Sequence, residues 1–420
     1  MRLADVSAAA LAACLVSAWD SQAQQASVNV PDEESQPFSR KMSDRQNRKR
    51  QLEEETFERQ ANNVVDRYLG AKRQIRTDTG IWYTMTTSFM SQWGFPGGGY
   101  GAVQAMFTPF VDWHVFSDTN LGKGSFQFSF LSNQYWSGAT GVSLANAIGV
   151  NGPINDKPFV TNIFSQLTYT HELPGRPAAV TVGQYSFANF DSNLYADDQQ
   201  TSFIANGMTG SITQAYSEGA LGAYLHLYPT RNVVLAAGFQ DANNPSGSYI
   251  QFDTFGQGAY AWFLYGAYDP RISDLGRGHY SILYYSVPGV PAQPQPSQGF
   301  SLNAAQPLGR KLGLFLRANT ASGNAISVSS SVSGGAVFND PLGRARFDRI
   351  GVALAWNQMN GAFYAGTLVR PSETMAELYW SWSLFRRILL TPDIQIYLQP
   401  ALAPTDYVAA VISLRITQLF

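Results

Sequence analysis

The last fifteen residues, Asp406 to Phe420 (DYVAAVISLRITQLF), constrain the fold more than any other stretch of the chain. Ala410, Ile412, Leu414 and Ile416 share one face, and Ser413, Arg415 and Thr417 the other, with Val411 the apolar exception. A period of two belongs to a strand, whose successive side chains point to opposite sides of the pleat. A mid-strand arginine and a final aromatic fit one environment: lipid on the apolar side, an aqueous lumen on the polar side, and an aromatic at the interface. The stretch therefore reads as the closing strand of a transmembrane barrel. Composition agrees: charged residues are 14% of the chain, below the ~25% usual in soluble domains. Aromatics reach 13%. Downstream of the start there is no run of ~18 apolar residues, which excludes helical membrane spans. A net charge of -2 gives no electrostatic footprint for nucleic acid.

Residues 1–23 read as a secretory signal: Arg2, the apolar run Val6 to Ser17, then Ser21-Gln22-Ala23 as a cleavage site. Leu11-Ala12-Ala13-Cys14 resembles a lipobox, so acylation of Cys14 stays open beside removal with the signal; both export the chain. With that single cysteine, no disulfide framework and no cysteine-based metal cluster is available. Residues 24–80 form a charged periplasmic extension. Of the chain's 28 Lys/Arg and 30 Asp/Glu, 11 and 10 lie between Pro31 and Gly80. Pro31 to Arg40 is expected to be disordered. Ser43 to Arg73 is expected to be helical, with Leu52, Val64, Val65, Tyr68 and Leu69 as a thin apolar set among charge pairs. The plain expectation is a solvated helix; the sharper one is a segment that enters the lumen or binds a periplasmic partner.

From Ile81 onward strand follows turn to the end, giving residues 81–420 as an all-β, antiparallel up-and-down transmembrane β-barrel of about 16 strands. Strand starts are expected near Ile81, Ala102, Ser125, Phe159, Ala178, Tyr216, Asn232, Gly258, Gly278, Gln298, Lys311, Ser327, Asp348, Glu373, Leu389 and Asp406. The late strands alternate most cleanly. Leu312, Leu314 and Leu316 interleave with Gly313, Phe315 and Arg317; Leu378, Trp380 and Trp382 with Glu377, Tyr379 and Ser381. The connections alternate too. One set is compact and basic: Leu173 to Arg176, Tyr228 to Arg231, Leu275 to Gly278, Pro307 to Arg310, Pro341 to Arg344 and Phe385 to Arg387. The other holds the longest segments: Ser137 to Lys157, Ala188 to Ala215, Asp241 to Gln257 and Pro288 to Ser297. Short turns at one end and long loops at the other fit an outer-membrane barrel with both termini in the periplasm.

Catalytic patterns are missing. His114, His171, His226 and His279 sit on separate strands with no metal-ligand spacing, and neither a nucleophile elbow nor a P-loop occurs. Gly97 to Gly101 reads as a hairpin loop. His226, in Tyr224-Leu225-His226-Leu227-Tyr228, is the one mild candidate for a barrel hydrolase. No cofactor is expected.

Residues 66–420 resemble the carbohydrate-selective outer-membrane porin family (OprB-type). The resemblance rests on Gly70 to Ile81 (GAKRQIRTDTGI), on Val180-Thr181-Val182-Gly183-Gln184 followed by Asn189-Phe190-Asp191, and on Leu312 to Arg317. Its most specific block is Ser372-Glu373-Thr374, Glu377-Leu378-Tyr379-Trp380, Pro392-Asp393-Ile394-Gln395 and Leu414-Arg415. Ala71-Lys72-Arg73 stands where the family has Trp-Gly-Gly. The resemblance implies passive diffusion of sugars with no turnover, through a porin that is either a monomer or a homotrimer. The alternative is a less selective channel, or one exporting polysaccharide with its N-terminal helix on a periplasmic partner.

A sugar path needs donors, acceptors and ring faces that bind weakly. On the inward faces Arg317, Arg349 and Arg415 supply donors, Glu377 and Gln395 acceptors, and Tyr379 and Tyr397 rings. These are the expected pore-lining residues. Asp191, Asp197 and Asp198, in the long segment after the fifth strand, are the expected constriction loop. If that segment enters the lumen, acidic loop and basic wall face one another across the opening; otherwise it stays outside.

Overall fold

The computed structural model describes residues 63–96, 101–118, 120–323, 325–345, 347–385 and 387–420. The expected signal, the expected disorder of Pro31 to Arg40 and most of Gly97 to Gly101 lie outside them. So does the helix expected before Asn63; the described helix, α1 (Asn63–Thr79), runs past Arg73 to the first strand.

The strands are β1 (Ile81–Phe95), β2 (Gly101–Asp118), β3 (Gly122–Tyr135), β4 (Thr161–Glu172), β5 (Ala178–Tyr185), β6 (Ala220–Thr230), β7 (Val233–Asp241), β8 (Tyr260–Tyr268), β9 (Arg271–Ile272), β10 (Gly276–Arg277), β11 (His279–Val287), β12 (Ser297–Leu308), β13 (Leu312–Ala321), β14 (Val328–Asn339), β15 (Arg349–Met359), β16 (Ser372–Phe385), β17 (Ile388–Leu398) and β18 (Val408–Leu419). Among the described residues sixteen of them close into one antiparallel barrel, each beside its neighbour in sequence, with β1 paired to β18. The remaining two, β9 and β10, form a small hairpin within the turn that joins β8 to β11. The expected starts track the observed ones, Tyr216 against Ala220 being the furthest apart.

The late strands show the alternation that lipid imposes most clearly. On β13, Leu314 and Leu316 are exposed outward while Phe315 and Arg317 are buried inward; on β18, Ile412 and Leu414 face out, and Ser413, Arg415 and Thr417 face in. The reverse register would set arginines against hydrocarbon at ~2–4 kcal/mol each near the midplane. Trp356, Trp380 and Trp382 keep the outward parity.

The basic turns and both ends of the barrel chain share one rim. Gly309 turns with φ 70°, a conformation that costs glycine nothing. At the same rim Met85 and Phe420 exchange backbone hydrogen bonds, closing the seam. There α1 is seated: the buried Lys72 ammonium donates to the Phe420 carbonyl (3.3 Å) and lies over the Tyr83 ring, and the Trp113 indole donates to the Thr79 carbonyl.

Candidate functional site

Two of the long connections leave the opposite rim and fold into the lumen. The first, residues 136–160 between β3 and β4, begins with α2 (Gly141–Ala147), whose start is closed by reciprocal bonds between Thr140 and Ser143. It buries Leu144, Ile148, Val150 and Ile154 against wall residues that include Val411 and Tyr397. Gly94 makes room for it, since a Cβ there would meet Ile148 at 2.7 Å. The second, residues 186–219 between β5 and β6, opens with a short 3-10 helix, Phe187–Phe190. Phe187 and Phe190 enter an aromatic cluster with Tyr185, Tyr224, Phe263 and Tyr265, in which Phe190 and Phe263 centroids lie 4.3 Å apart. Burial in that cluster pushes the Tyr216 hydroxyl well above its ordinary range.

A loop inside a barrel has no strand beside it, yet its buried amides and carbonyls need partners. Wall side chains supply them. Arg317 donates to Asp191 (3.0 Å) and to the Ala196 carbonyl (3.0 Å), while the other Asp191 oxygen accepts from Ser301 (2.6 Å) and Asn303 (2.5 Å). Arg415 donates to the carbonyls of Gln199 and Ser202, and Thr417 to that of Gln200. Glu377 accepts from the amides of Ile204 and Ala205. Two same-face positions back along β16, Glu373 does the same for the first loop, accepting from the amides of Asn151 and Gly152 and from Ala401. Arginines hold carbonyls and glutamates hold amides, so β12, β13, β16 and β18 fasten both loops.

Along β1–β4 the second loop closes less completely, although Gln200 accepts from Thr108 (2.9 Å) and donates to Ser88 (3.1 Å). Between it and β1–β4 runs a cavity of about 100 Å³, with Thr84, Met106, Thr108, Phe110 and Ser129 on the barrel side and Asn189, Asp198, Gln200 and Gln214 on the loop side. At the long-loop end it meets a vestibule of about 620 Å³; Asp156, Lys157, Ile163, Asn206 and Glu218 border both. There the Lys157 ammonium pairs with Glu218 at 3.0 Å. The passage is off-centre, bounded by the wall that lacks the arginines.

The expected residues are thereby placed. Arg317, Glu377, Tyr379, Gln395, Tyr397 and Arg415 all keep inward faces, but each is at most 1% exposed, covered by the two loops. Arg349, half-buried, shares their inward parity. Asp191 meets Arg317 directly, and Asp197 and Asp198 are buried, so acidic loop and basic wall touch with no open water between Asp191 and Arg317. The segment Ala188 to Ala215 does not stand outside; satisfying its aromatics and backbone draws it inward. The passage residues of β1–β4 were missed. Their signal was present: Thr84, Thr86, Ser88, Ser125, Gln127, Ser129, Thr168 and Thr170 give β1, β3 and β4 largely polar inner faces, and β2 adds Thr108 between Met106 and Phe110. His226 is buried against Phe190 and Tyr228. No cluster of His, Cys, Asp and Glu able to hold a metal occurs among the described residues.

A model of the carbohydrate-selective porin, OprB family, matches residues 118–420. Porin AaxA of Chlamydia abortus is 34% identical over 349 residues, covering 81% of this chain and 78% of the relative. Porin AaxA of Chlamydia pneumoniae is 33% identical over 337 residues, covering 78% and 76%. Among solved structures, Pseudomonas putida OprB at high pH superposes with a TM-score of 0.69 at 14% identity, covering 84% of this chain and 97% of that one. Salmonella typhi OmpF, in complex with daunomycin, gives 0.54 at 11% identity, covering 81% and 97%. At such identities the two structures share the fold.

Proposed function

Because the chain belongs to the OprB family of carbohydrate-selective porins, we propose that it lets small sugars diffuse passively across the outer membrane along the passage beside β1–β4. The observation that carries this reading is that the passage and the vestibule share a border formed by Asp156, Lys157 and Glu218. Its lining replaces water for a polyol. Thr108, Ser129, Gln200, Asn206 and Gln214 offer donors and acceptors, and Met106 and Phe110 offer apolar surface to C–H faces. None of these groups binds tightly alone, which favours release. A channel of this kind needs no turnover, and the family and the fold point away from an enzyme.

Liposome swelling with sugars of graded size tests the reading. Monosaccharides are expected to enter fastest and trisaccharides slowest, because the passage is much narrower than the vestibule. Ion conductance without sugar entry at any size would overturn it. Three carboxylates, Asp156, Asp198 and Glu218, border the passage against one ammonium, Lys157. Small inorganic cations are therefore expected to pass ahead of anions, which the reversal potential in a salt gradient measures.

A further inference from the structure

The vestibule presents two aromatic rings to water on backbones that are held still. Phe159, from the β3–β4 loop, is 59% exposed, and Tyr249, from the loop between β7 and β8, is 71% exposed. Both line the same cavity of about 620 Å³. The Phe159 carbonyl accepts from the Asn133 amide (2.6 Å) and from Thr161 (3.0 Å). The Tyr249 carbonyl accepts from Asn244 (2.9 Å), and two residues earlier the Gly247 carbonyl accepts from the Phe164 amide and from Gln184. Where the vestibule narrows, the Lys157 carbonyl takes three donors, Gln104 (2.9 Å), Asn133 (2.9 Å) and Tyr135 (3.0 Å). One fully buried amide, Asn133, thus holds the backbone at both Phe159 and Lys157.

Exposed rings offer apolar faces for contact, and rigid backbones keep the loss of freedom on binding small. We propose that this vestibule is a capture site for a neutral saccharide, with sugar C–H faces against Phe159 and Tyr249 and hydroxyls toward Lys157 and Glu218. It rests on the sugar-diffusion reading above and goes beyond it in assigning a binding step before the constriction. Neutral sugar fits this chemistry because Lys157 and Glu218 pair at 3.0 Å and offer hydrogen-bonding capacity, while Asp156, which also lines the vestibule, disfavours an anionic one. The site raises local sugar concentration at low supply and adds nothing at saturation.

The test is sugar block of single-channel current, with glucose and maltotriose as probes, on the full-length protein and on Phe159→Ala/Tyr249→Ala. Both side chains are exposed, so the variant is expected to fold. The half-blocking concentration of maltotriose is expected to rise about 5-fold, the size expected for lost ring contacts. Swelling at saturating glucose is expected to stay the same, and Phe159→Tyr, which keeps a ring, to retain most of the block. An unchanged half-blocking concentration in the double variant, with sugar entry intact, overturns the capture site and leaves diffusion standing. Absence of sugar entry and block in the unaltered protein overturns the diffusion reading and the capture site together.

Discussion

The barrel has two unlike inner walls. Along β12, β13, β16 and β18 the inward side chains include Arg317, Glu373, Glu377 and Arg415, each at most 1% exposed and bonded to an inner loop. Along β1–β4 the passage meets Thr84, Thr108, Ser129 and Met106, short or uncharged groups. The charged wall is thus the closed one. A lumen filled on one side must satisfy a loop's backbone, and long ionised side chains do that from a distance a serine cannot span. On β1–β3 neutral amides, Gln92, Gln104 and Asn133, hold the first loop, and the stretch left open around Thr84, Thr108 and Ser129 needs only small polar groups. In a porin lumen, then, a conspicuous charge can mark an anchor as readily as a path.

The sharpest way to break this contrast is to cut an anchor. Asp191→Ala leaves Arg317 buried without its carboxylate, and breaking a buried pair from one side costs ~3–5 kcal/mol. The barrel ladders are untouched, so the variant is expected to insert and stay heat-resistant. The β5–β6 loop is expected to loosen, raising single-channel conductance, adding flicker, and opening residues 191–205 to protease. Unchanged conductance together with full protease protection would remove Arg317 and Asp191 from the anchoring role.

A smaller effect is expected from bulk added to each wall, with opposite signs. Thr108→Trp projects into the passage and should lower conductance by roughly half or more, with stability shifting by under about 1 kcal/mol. Gly313→Leu places its Cβ where the Tyr195 ring lies, 2.2 Å away. Overpacking there costs ~1–3 kcal/mol and pushes the loop off β13, so conductance should rise or become unsteady. Planar-bilayer recording of both variants reads the signs directly. Equal narrowing by both would mean the lumen is open on both sides and the contrast is wrong.

Much of the fold was legible because lipid enforces a rule that the sequence must display. The alternation of Leu312 to Arg317 and of Ala410 to Thr417 told which side chains point inward, and the parity of the Pro/Gly/Arg turns put them on one rim. What alternation cannot report is what covers an inward residue. Arg317 and Arg415 read as pore lining because their strands say inward, and nothing local says that residues 196–202 lie on them. That contact joins positions more than a hundred residues apart and depends on the aromatic cluster around Phe190 drawing its loop inward. The passage wall was harder still. Thr84, Thr108 and Ser129 are ordinary in isolation, and only their juxtaposition on adjacent strands makes a path.

The rim helix lies outside both walls and supplies the smallest expected effect, which makes it the control for the contrast. Lys72 is 4% exposed, donates to the Phe420 carbonyl at 3.3 Å and lies 5.1 Å from the Tyr83 centroid. That bond is long, and a cation over a ring contributes ~0.5–2 kcal/mol, so Lys72→Met should weaken docking of α1 by roughly 1 kcal/mol. The seam below it is held independently, since β1 and β18 pair from Thr86 with Leu419 to Phe95 with Ala410. Limited proteolysis should therefore cut α1 of the variant sooner, while the unfolding temperature of the barrel and its conductance stay the same. The Tyr68 hydroxyl in α1 gives a second handle. Burial first, and the neighbouring Tyr83 second, push its pKa up to about 12. A group raised in the docked state stabilises docking below its ordinary pKa of ~10 and loses that contribution as pH rises through the docked value. Protease release of α1 should accordingly increase between pH 10 and about 12, and a Tyr68→Phe variant should lose that part of the response. A barrel of Lys72→Met that melts earlier than that of the unaltered protein would show that the rim helix carries structural load for the barrel itself.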